Sequence, residues 1–235
     1  MRYAIYFAPP PEDGLGRLAS QWLGRDAYSG ARVEMPGIAG LDTSEIASHT
    51  SAPRRYGFHG TLKAPFRLAE GAREDDLIEA LQRFAASTQS FMLPQMRIAR
   101  LGRFFALVPA APSAELDTLA CNIVMGFDRF RAPLTEAEVQ RRDPDSLNAA
   151  QLRNLRRWGY PHVLDCFRFH MTLTGPVGDS DAASVRAALD LWFADVIDRP
   201  LPIDSLSLFT EPEKGAPFMV RETFPLVPSH ARMTA

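Results

Sequence analysis

Hydrophobic and polar positions alternate at the start of the chain, where Tyr3, Ile5 and Phe7 are separated by smaller or polar residues. This period of two predicts a first strand. Apolar residues three and four positions apart predict amphipathic helices at 15–23, 77–85, 116–130 and 185–196, and two polar, Arg-rich helical pieces between 135 and 158. Residues 25–55 are rich in Gly, Ser, Pro and Thr and are predicted to be loop, with one turn of helix at 43–48.

Further strands are predicted between these helices, and several of them are paired as hairpins. They lie at 56–62, 91–99, 103–108, 164–174, 206–209 and 218–224. Helices and strands follow one another without the regular alternation of a doubly wound parallel sheet. The pattern therefore favours an α+β fold with antiparallel sheets.

Length and composition narrow the class of protein. The chain has 235 residues, which corresponds to one large domain or two small lobes, and 46% hydrophobic with 23% charged residues is ordinary for a globular protein. The net charge is −2. This value argues against a protein that coats nucleic acid, which would be basic overall, but allows a local basic site for a small phosphorylated ligand.

The only two cysteines, Cys121 and Cys166, are far apart and outside any C-x-x-C spacing, so we expect neither a disulfide framework nor a zinc knuckle. The N-terminal residues lack the apolar core of a signal peptide. The longest uncharged apolar stretch, residues 104–114, is about half the length of a membrane span and contains two prolines. We expect a cytoplasmic protein without membrane contact.

One internal repeat stands out. Residues 58–66 (FHGTLKAPF) and 169–177 (FHMTLTGPV) are identical at five of nine positions and lie 111 residues apart. Each copy falls on a predicted strand, near 56–63 and 167–174. A structural histidine has no reason to recur with the same Thr two residues later, so the repeat indicates a functional site.

Alternation along a strand places His59, Thr61 and Lys63 on one face, and His170, Thr172 and Thr174 on one face of the second copy. If the two strands lie side by side, two imidazoles and two hydroxyls converge on one cleft. One neutral and one protonated imidazole could act as general base and general acid on a phosphoester. Thr61 and Thr172 would hold the phosphate.

Two further groups of residues extend this prediction. Lys63 is a candidate source of positive charge for the phosphate. Candidate substrate contacts are Arg54, Arg55, Tyr56 and Thr174. The chemistry of these residues requires neither a metal ion nor a cofactor, and it suits hydrolysis of a phosphodiester or opening of a cyclic phosphate.

Two His-x-Thr-hydrophobic motifs about a hundred residues apart resemble the signature of the two-histidine (2H) phosphoesterase superfamily. Here they are His59-Gly60-Thr61-Leu62 and His170-Met171-Thr172-Leu173. The longer context, with Trp158-Gly159-Tyr160-Pro161 ahead of the second motif, is similar to a bacterial branch associated with phosphonate metabolism. The resemblance implies one bilobal domain over 1–235, with two lobes related by a pseudo-twofold axis, helices outside and a metal-free site between them.

For this branch the resemblance implies a phosphorylated ribose cyclic phosphate as substrate. Three alternatives stay open: an RNA 2′,3′-cyclic phosphodiesterase or 2′–5′ ligase-like enzyme acting on RNA ends, a non-catalytic protein that binds nucleotides or phosphate, and a metallohydrolase. The slightly acidic chain favours a small metabolite over long RNA. Against a metallohydrolase, no H-E-x-x-H sequence and no carboxylate-rich cluster lie near the motifs.

Overall fold

The strands form one antiparallel sheet and one small ribbon in the computed structural model, which describes residues 1–38 and 40–229. In chain order they are β1 Arg2–Phe7, β2 Gly60–Phe66, β3 Phe91–Leu93, β4 Met96–Leu101, β5 Phe104–Pro109, β6 Met171–Thr172, β7 Leu201–Ile203, β8 Ser205–Glu211 and β9 Met219–Pro225. Seven of them follow the order β4-β5-β6-β2-β1-β8-β9, and β3 pairs with β7. Helices and antiparallel strands together confirm the predicted α+β class.

The helices are α1 Gly14–Leu23, α2 Thr43–His49, α3 Ser51–Tyr56, α4 Glu74–Ala85, α5 Ala114–Gly126, α6 Glu136–Gln140, α7 Ala149–Trp158 and α8 Ala182–Ile197. Local sequence sets several of their ends. The Asp13 carboxylate accepts from the Leu15 and Gly16 amides at the start of α1, and Gly24, at φ 73°, ends it. Among residues 1–38 and 40–229, no helix has the length and hydropathy needed to cross a membrane.

The two faces of the large sheet differ in what covers them. On β1, Tyr3, Ile5 and Phe7 belong to the main core together with buried residues of α1, α4, α5 and α8. Ala4 and Tyr6 point to the other face and join a smaller apolar cluster. The alternation that predicted β1 therefore separates a face packed on helices from a face that carries Tyr6.

The two motif strands are neighbours at the middle of the sheet. They pair at a single position, Gly60 opposite Met171. On its outer side β2 pairs with β1, and β6 pairs with β5. This short pairing sets the two motif strands side by side and joins β4, β5 and β6 to the other four strands in one continuous sheet. The division into lobes stays a prediction.

Both motif strands begin later in the sequence than expected, and the second is also shorter. Residues 51–56 form α3 in place of loop, with Pro53 in the first turn, where its missing amide proton leaves no hydrogen bond unmade. The second strand has only two residues. Its ladder stops because the Leu173 and Thr174 amides both donate to the Phe105 carbonyl, at 2.9 and 3.2 Å.

Candidate active site

His59 is held by its own backbone just before β2. Its Nδ1 lies 2.9 Å from the carbonyl oxygen of Gly57. A carbonyl only accepts, so Nδ1 carries the proton and the neutral ring keeps a lone pair on Nε2. Gly57 has a φ of 75°, and a Cβ there would lie 2.4 Å from the Ala27 Cβ, so both conformation and space require glycine.

His170 is anchored in the same way. Its Nδ1 lies 2.8 Å from the carbonyl oxygen of Arg168, which is again two residues upstream. The duplicated sequence thus produces a duplicated hydrogen bond and the same tautomer. The His170 ring packs beside Phe104, with 5.8 Å between ring centroids.

The surroundings of the two rings differ. Tyr6 stacks on His59 with 3.7 Å between centroids and 18° between planes. Burial lowers the pKa of His59 to about 4; the Gly57 hydrogen bond opposes this shift, and positive charge on His170 adds to it. His59 is therefore a neutral imidazole at pH 7.

Three threonine hydroxyls lie beside the histidines. Because β2 and β6 are antiparallel about Gly60 and Met171, the register sets His59 alongside Thr172 and Thr61 alongside His170. Thr61, Thr172 and Thr174 line one cleft of about 340 Å³, together with His59. Thr174 Oγ1 accepts from the Phe105 amide at 2.9 Å, which leaves its own proton to donate.

The cleft has further walls that the motifs did not predict. They come from five distant positions in the chain: Arg2, Tyr6, Phe104, Arg142 and Tyr160. The Arg142 guanidinium lies over the Tyr160 ring at 4.9 Å. Of these, Tyr160 belongs to the Trp158–Pro161 segment noted in the sequence, whereas nothing in the sequence around the other four distinguishes them. His170 is not among the lining residues but lies at the rim, against the Phe104 wall.

The structure does not bring Lys63 to the cleft. A β-bulge in β2 places Tyr6 opposite Thr61 but Ile5 opposite Lys63, so the strict alternation expected after Thr61 is broken. The Lys63 Nζ donates to the Val124 carbonyl at 3.1 Å and lies 3.6 Å from the Asp128 carboxylate. Burial lowers its pKa to about 8, against the effect of Asp128. Lys63 is thus part of the helix-packed side, and the phosphate role predicted for it has no geometric support.

The three predicted substrate contacts on α3 have different surroundings in the structure. Arg54 donates to the Leu23 and Ala47 carbonyls, at 2.6 and 3.0 Å, and joins α3 to its neighbours. Arg55 forms an ion pair with Glu211, away from the cleft. Tyr56 does line the cleft, stacked on Phe218 with 5.2 Å between centroids.

Two core contacts fix the positions of the motif strands. The fully buried Trp22 donates its indole proton to the Leu173 carbonyl at 2.9 Å, one residue after Thr172. At the crossing of the strands a Cβ on Gly60 would lie 2.3 Å from the Phe169 ring. The Phe169 ring of the second motif thus fills the space that a side chain at position 60 would need. With glycine there, the backbones of the two motifs can approach each other closely.

These residues can perform acid–base chemistry on a bound anion. A neutral imidazole can accept a proton, a second imidazole at the rim can donate one, and hydroxyls with Arg2 and Arg142 can neutralise negative charge. Within residues 1–38 and 40–229, no group of three or more His, Cys, Asp or Glu side chains is placed to hold a metal ion.

The two His-x-Thr motifs thus meet on adjacent strands of an α+β protein beside one cleft, as the resemblance to the two-histidine phosphoesterase superfamily led us to expect. Residues 61–219 match a family model described as protein of unknown function (DUF1045). The match extends over more than half of the chain, and the chain belongs to this family.

A curated relative from Janthinobacterium sp. (strain Marseille), named ribose 1,5-bisphosphate phosphokinase PhnN, is 40% identical over 228 residues. The match covers 95% of this chain and 50% of the relative, so the chain spans about half the length of that protein.

Two solved structures cover nearly all of the chain at low identity. One, described as a phosphoesterase, has 13% identity, a TM-score of 0.41 and coverage of 96% of this chain and 98% of its own. The other, LigT of E. coli complexed with NADP+, has 14% identity, a TM-score of 0.38 and coverage of 96% and 97%. Scores this low support no argument about activity.

Proposed function

We propose that the protein is a metal-independent phosphodiesterase that opens a cyclic phosphate. The observation that carries this proposal is the pair of histidines, each anchored through Nδ1 to a carbonyl two residues upstream, beside three threonine hydroxyls of one cleft. A single histidine with such an anchor would be unremarkable in a strand. Two of them on adjacent strands provide a base and an acid for one substrate.

In this mechanism His59 is the base. Its Nε2 takes a proton from water while the water oxygen forms a bond to phosphorus. The ester P–O bond of the ring breaks, and His170 donates a proton to the leaving oxygen. The product is a phosphomonoester, and solvent returns the two imidazoles to their starting states. The lowered pKa of His59 makes it the base and leaves His170 as the candidate acid.

The remaining cleft residues hold the phosphate. The hydroxyls of Thr61, Thr172 and Thr174 donate to its non-bridging oxygens, and Arg142 supplies positive charge to balance the negative charge that accumulates in the transition state. Arginine suits this task because its planar guanidinium can donate two parallel hydrogen bonds to phosphate.

A phosphorylated ribose cyclic phosphate is the substrate that we propose. The name of the curated relative refers to a ribose bisphosphate, and a cleft of about 340 Å³ suits a metabolite of this size. The same name describes a kinase, but this chain contains no G-x-x-x-x-G-K-[ST] sequence, so we do not propose phosphoryl transfer from ATP for it.

An RNA end is the second candidate. Tyr56 and Tyr160 line the cleft and present rings on which a base could stack, as in proteins that bind single-stranded RNA. An RNA substrate would make the chain a 2′,3′-cyclic phosphodiesterase or a 2′–5′ ligase-like enzyme.

Turnover of a panel of cyclic phosphates tests the proposal. The panel contains ribose cyclic phosphates, nucleoside 2′,3′-cyclic phosphates and RNA ending in a 2′,3′-cyclic phosphate. We expect hydrolysis by the wild type and its loss in His59→Ala and His170→Ala, while circular dichroism shows that both variants remain folded. His49→Ala is the matched control, because the side chain of His49 does not line the cleft.

The other outcomes distinguish the alternatives. Activity of both variants close to wild type would overturn the proposal. Binding without turnover across the panel would indicate a non-catalytic phosphate-binding protein, and activity lost with EDTA and restored by zinc would indicate a metallohydrolase.

A further inference from the structure

A second cavity adjoins the cleft. It has a volume of about 600 Å³ and shares four wall residues with the cleft: Arg2, Tyr56, Pro65 and Arg142. The second cavity, which we call the basic pocket, therefore lies directly beside the cleft along these four residues.

The basic pocket concentrates positive charge. Its cationic residues are Arg2, Arg55, Arg67, Arg141, Arg142 and Lys214. Only two carboxylates, Glu138 and Glu211, face them, so the pocket has an excess of four positive charges in a chain whose net charge is −2. Such a local excess attracts a multiply charged anion.

The two carboxylates position arginines but do not neutralise the whole set. Glu211 is fully buried between Arg2 and Arg55. Burial raises the pKa of Glu211, but hydrogen bonds from Arg2, the Gly215 amide and Arg55 outweigh this effect and lower it. The carboxylate stays charged, and it holds the two guanidinium groups in place.

Glu138, the second carboxylate of the pocket, also lies between two arginines. Hydrogen bonds from Arg67 lower the pKa of Glu138 to about 2. Arg141 is 4.0 Å from the same carboxylate. Within residues 1–38 and 40–229, Arg142 and Lys214 have no carboxylate within 4.0 Å. Lys214 is therefore free to pair with a ligand in the basic pocket, while Arg142 lines both spaces and also faces the reacting phosphate.

We propose that the basic pocket binds a second phosphate of the same substrate, a phosphomonoester. A monoester carries a charge of about −1.5 to −2 at pH 7, which is about one and a half to two times the single charge of a diester. An excess of four positive charges favours the more highly charged group. The assignment rests on the proposed function and its phosphorylated ribose cyclic phosphate, and it adds the place where the terminal phosphate of that substrate binds.

A pair of substrates tests the assignment: a ribose cyclic phosphate with and without a phosphate on O5. We expect wild type to favour the phosphorylated member in kcat/KM. The double variant Arg141→Gln/Lys214→Gln should reduce this preference by about tenfold, since it removes charge-assisted hydrogen bonds to the terminal phosphate. Arg186→Gln is the matched control, because Arg186 pairs with Asp190 on α8 outside both cavities.

Two kinetic outcomes would overturn the assignment. One is an unchanged preference in the double variant. The other is equal preference for a dinucleotide cyclic phosphate that carries a diester in place of the monoester, which would point to RNA.

A binding measurement separates this assignment from the proposed reaction. Ribose 5-phosphate carries the monoester but no cyclic phosphate, so its affinity, measured by calorimetry, does not depend on turnover. We expect about tenfold weaker binding to Arg141→Gln/Lys214→Gln than to wild type or Arg186→Gln. If no cyclic phosphate is hydrolysed but this difference persists, only the proposed reaction fails. If the three proteins bind equally, the basic pocket is not the phosphomonoester site.

Discussion

The two copies of the motif have the same local geometry but different surroundings. In each copy, histidine Nδ1 donates to the carbonyl two residues upstream. Around them, β2 extends for seven residues and His59 is stacked under Tyr6, whereas β6 has two residues and His170 lies at the rim beside Phe104. Because the sequence is repeated, both histidines carry the proton on Nδ1. In the proposed mechanism, the different surroundings of the two rings assign the role of base to His59 and the role of acid to His170.

The largest expected effect separates these two roles through the leaving group. On a cyclic phosphate with an alkoxide leaving group, His59→Ala and His170→Ala should each lower kcat/KM by about 10²–10⁴. A nitrophenyl phosphodiester releases a stable anion that needs no acid. On this substrate, His170→Ala should lower kcat/KM by less than about tenfold. His59→Ala should lower it by the same factor as on the cyclic phosphate. If His59→Ala has the smaller effect on the nitrophenyl substrate, His59 is the acid and His170 is the base.

The pH dependence tests the cause of the difference. The base must be unprotonated, so activity should fall as the pH drops below the pKa of His59, near 4. Tyr6→Leu removes the stacked ring, and the acid limb of the pH–rate profile should then move upward toward the ordinary value of about 6.5. Histidine ring signals in an NMR titration measure the same pKa directly. A wild-type His59 that titrates near 6.5 would contradict the burial argument.

The crossing point of the motifs offers a test of stability. Position 60 is Gly where the second copy has Met171, because the Phe169 ring fills the space beside Gly60. Gly60→Ala should lower the free energy of unfolding by about 1–3 kcal/mol, measured by urea denaturation. Gly126→Ala is the matched control, since a Cβ there meets nothing within 4 Å. Equal stability of the two variants would show that the backbones do not approach as described.

The smallest effect on activity concerns Lys63, whose counterpart in the second copy is Thr174. Thr174 lines the cleft, while Lys63 faces Asp128 on the other side of the sheet. Lys63→Met should change kcat/KM by less than about threefold, and it should destabilise the fold by about 1–3 kcal/mol because Asp128 loses a partner. A loss of activity above about tenfold in a stable variant would restore the phosphate role of Lys63.

Prediction from sequence succeeded where the cause is local. Periodicity identified β1, the hairpin of β4 and β5 and the helices α1, α4, α5 and α8, since each buries one face. It missed α3 and overextended the second motif strand. The residue at which the second motif strand ends is not set locally, because the Phe105 carbonyl that accepts from the Leu173 and Thr174 amides lies in another strand.

The sequence by itself determined the α+β fold class and the two His-x-Thr motifs, which it placed on two strands as one candidate site. Only the tertiary structure decided which residues meet. A bulge removed Lys63 from the cleft, distant segments brought Arg2, Arg142 and Tyr160 into it, and the packing of Tyr6 lowered the pKa of one histidine. The physical reason is that desolvation and charge depend on neighbours in space, and these neighbours come from segments far apart in the chain.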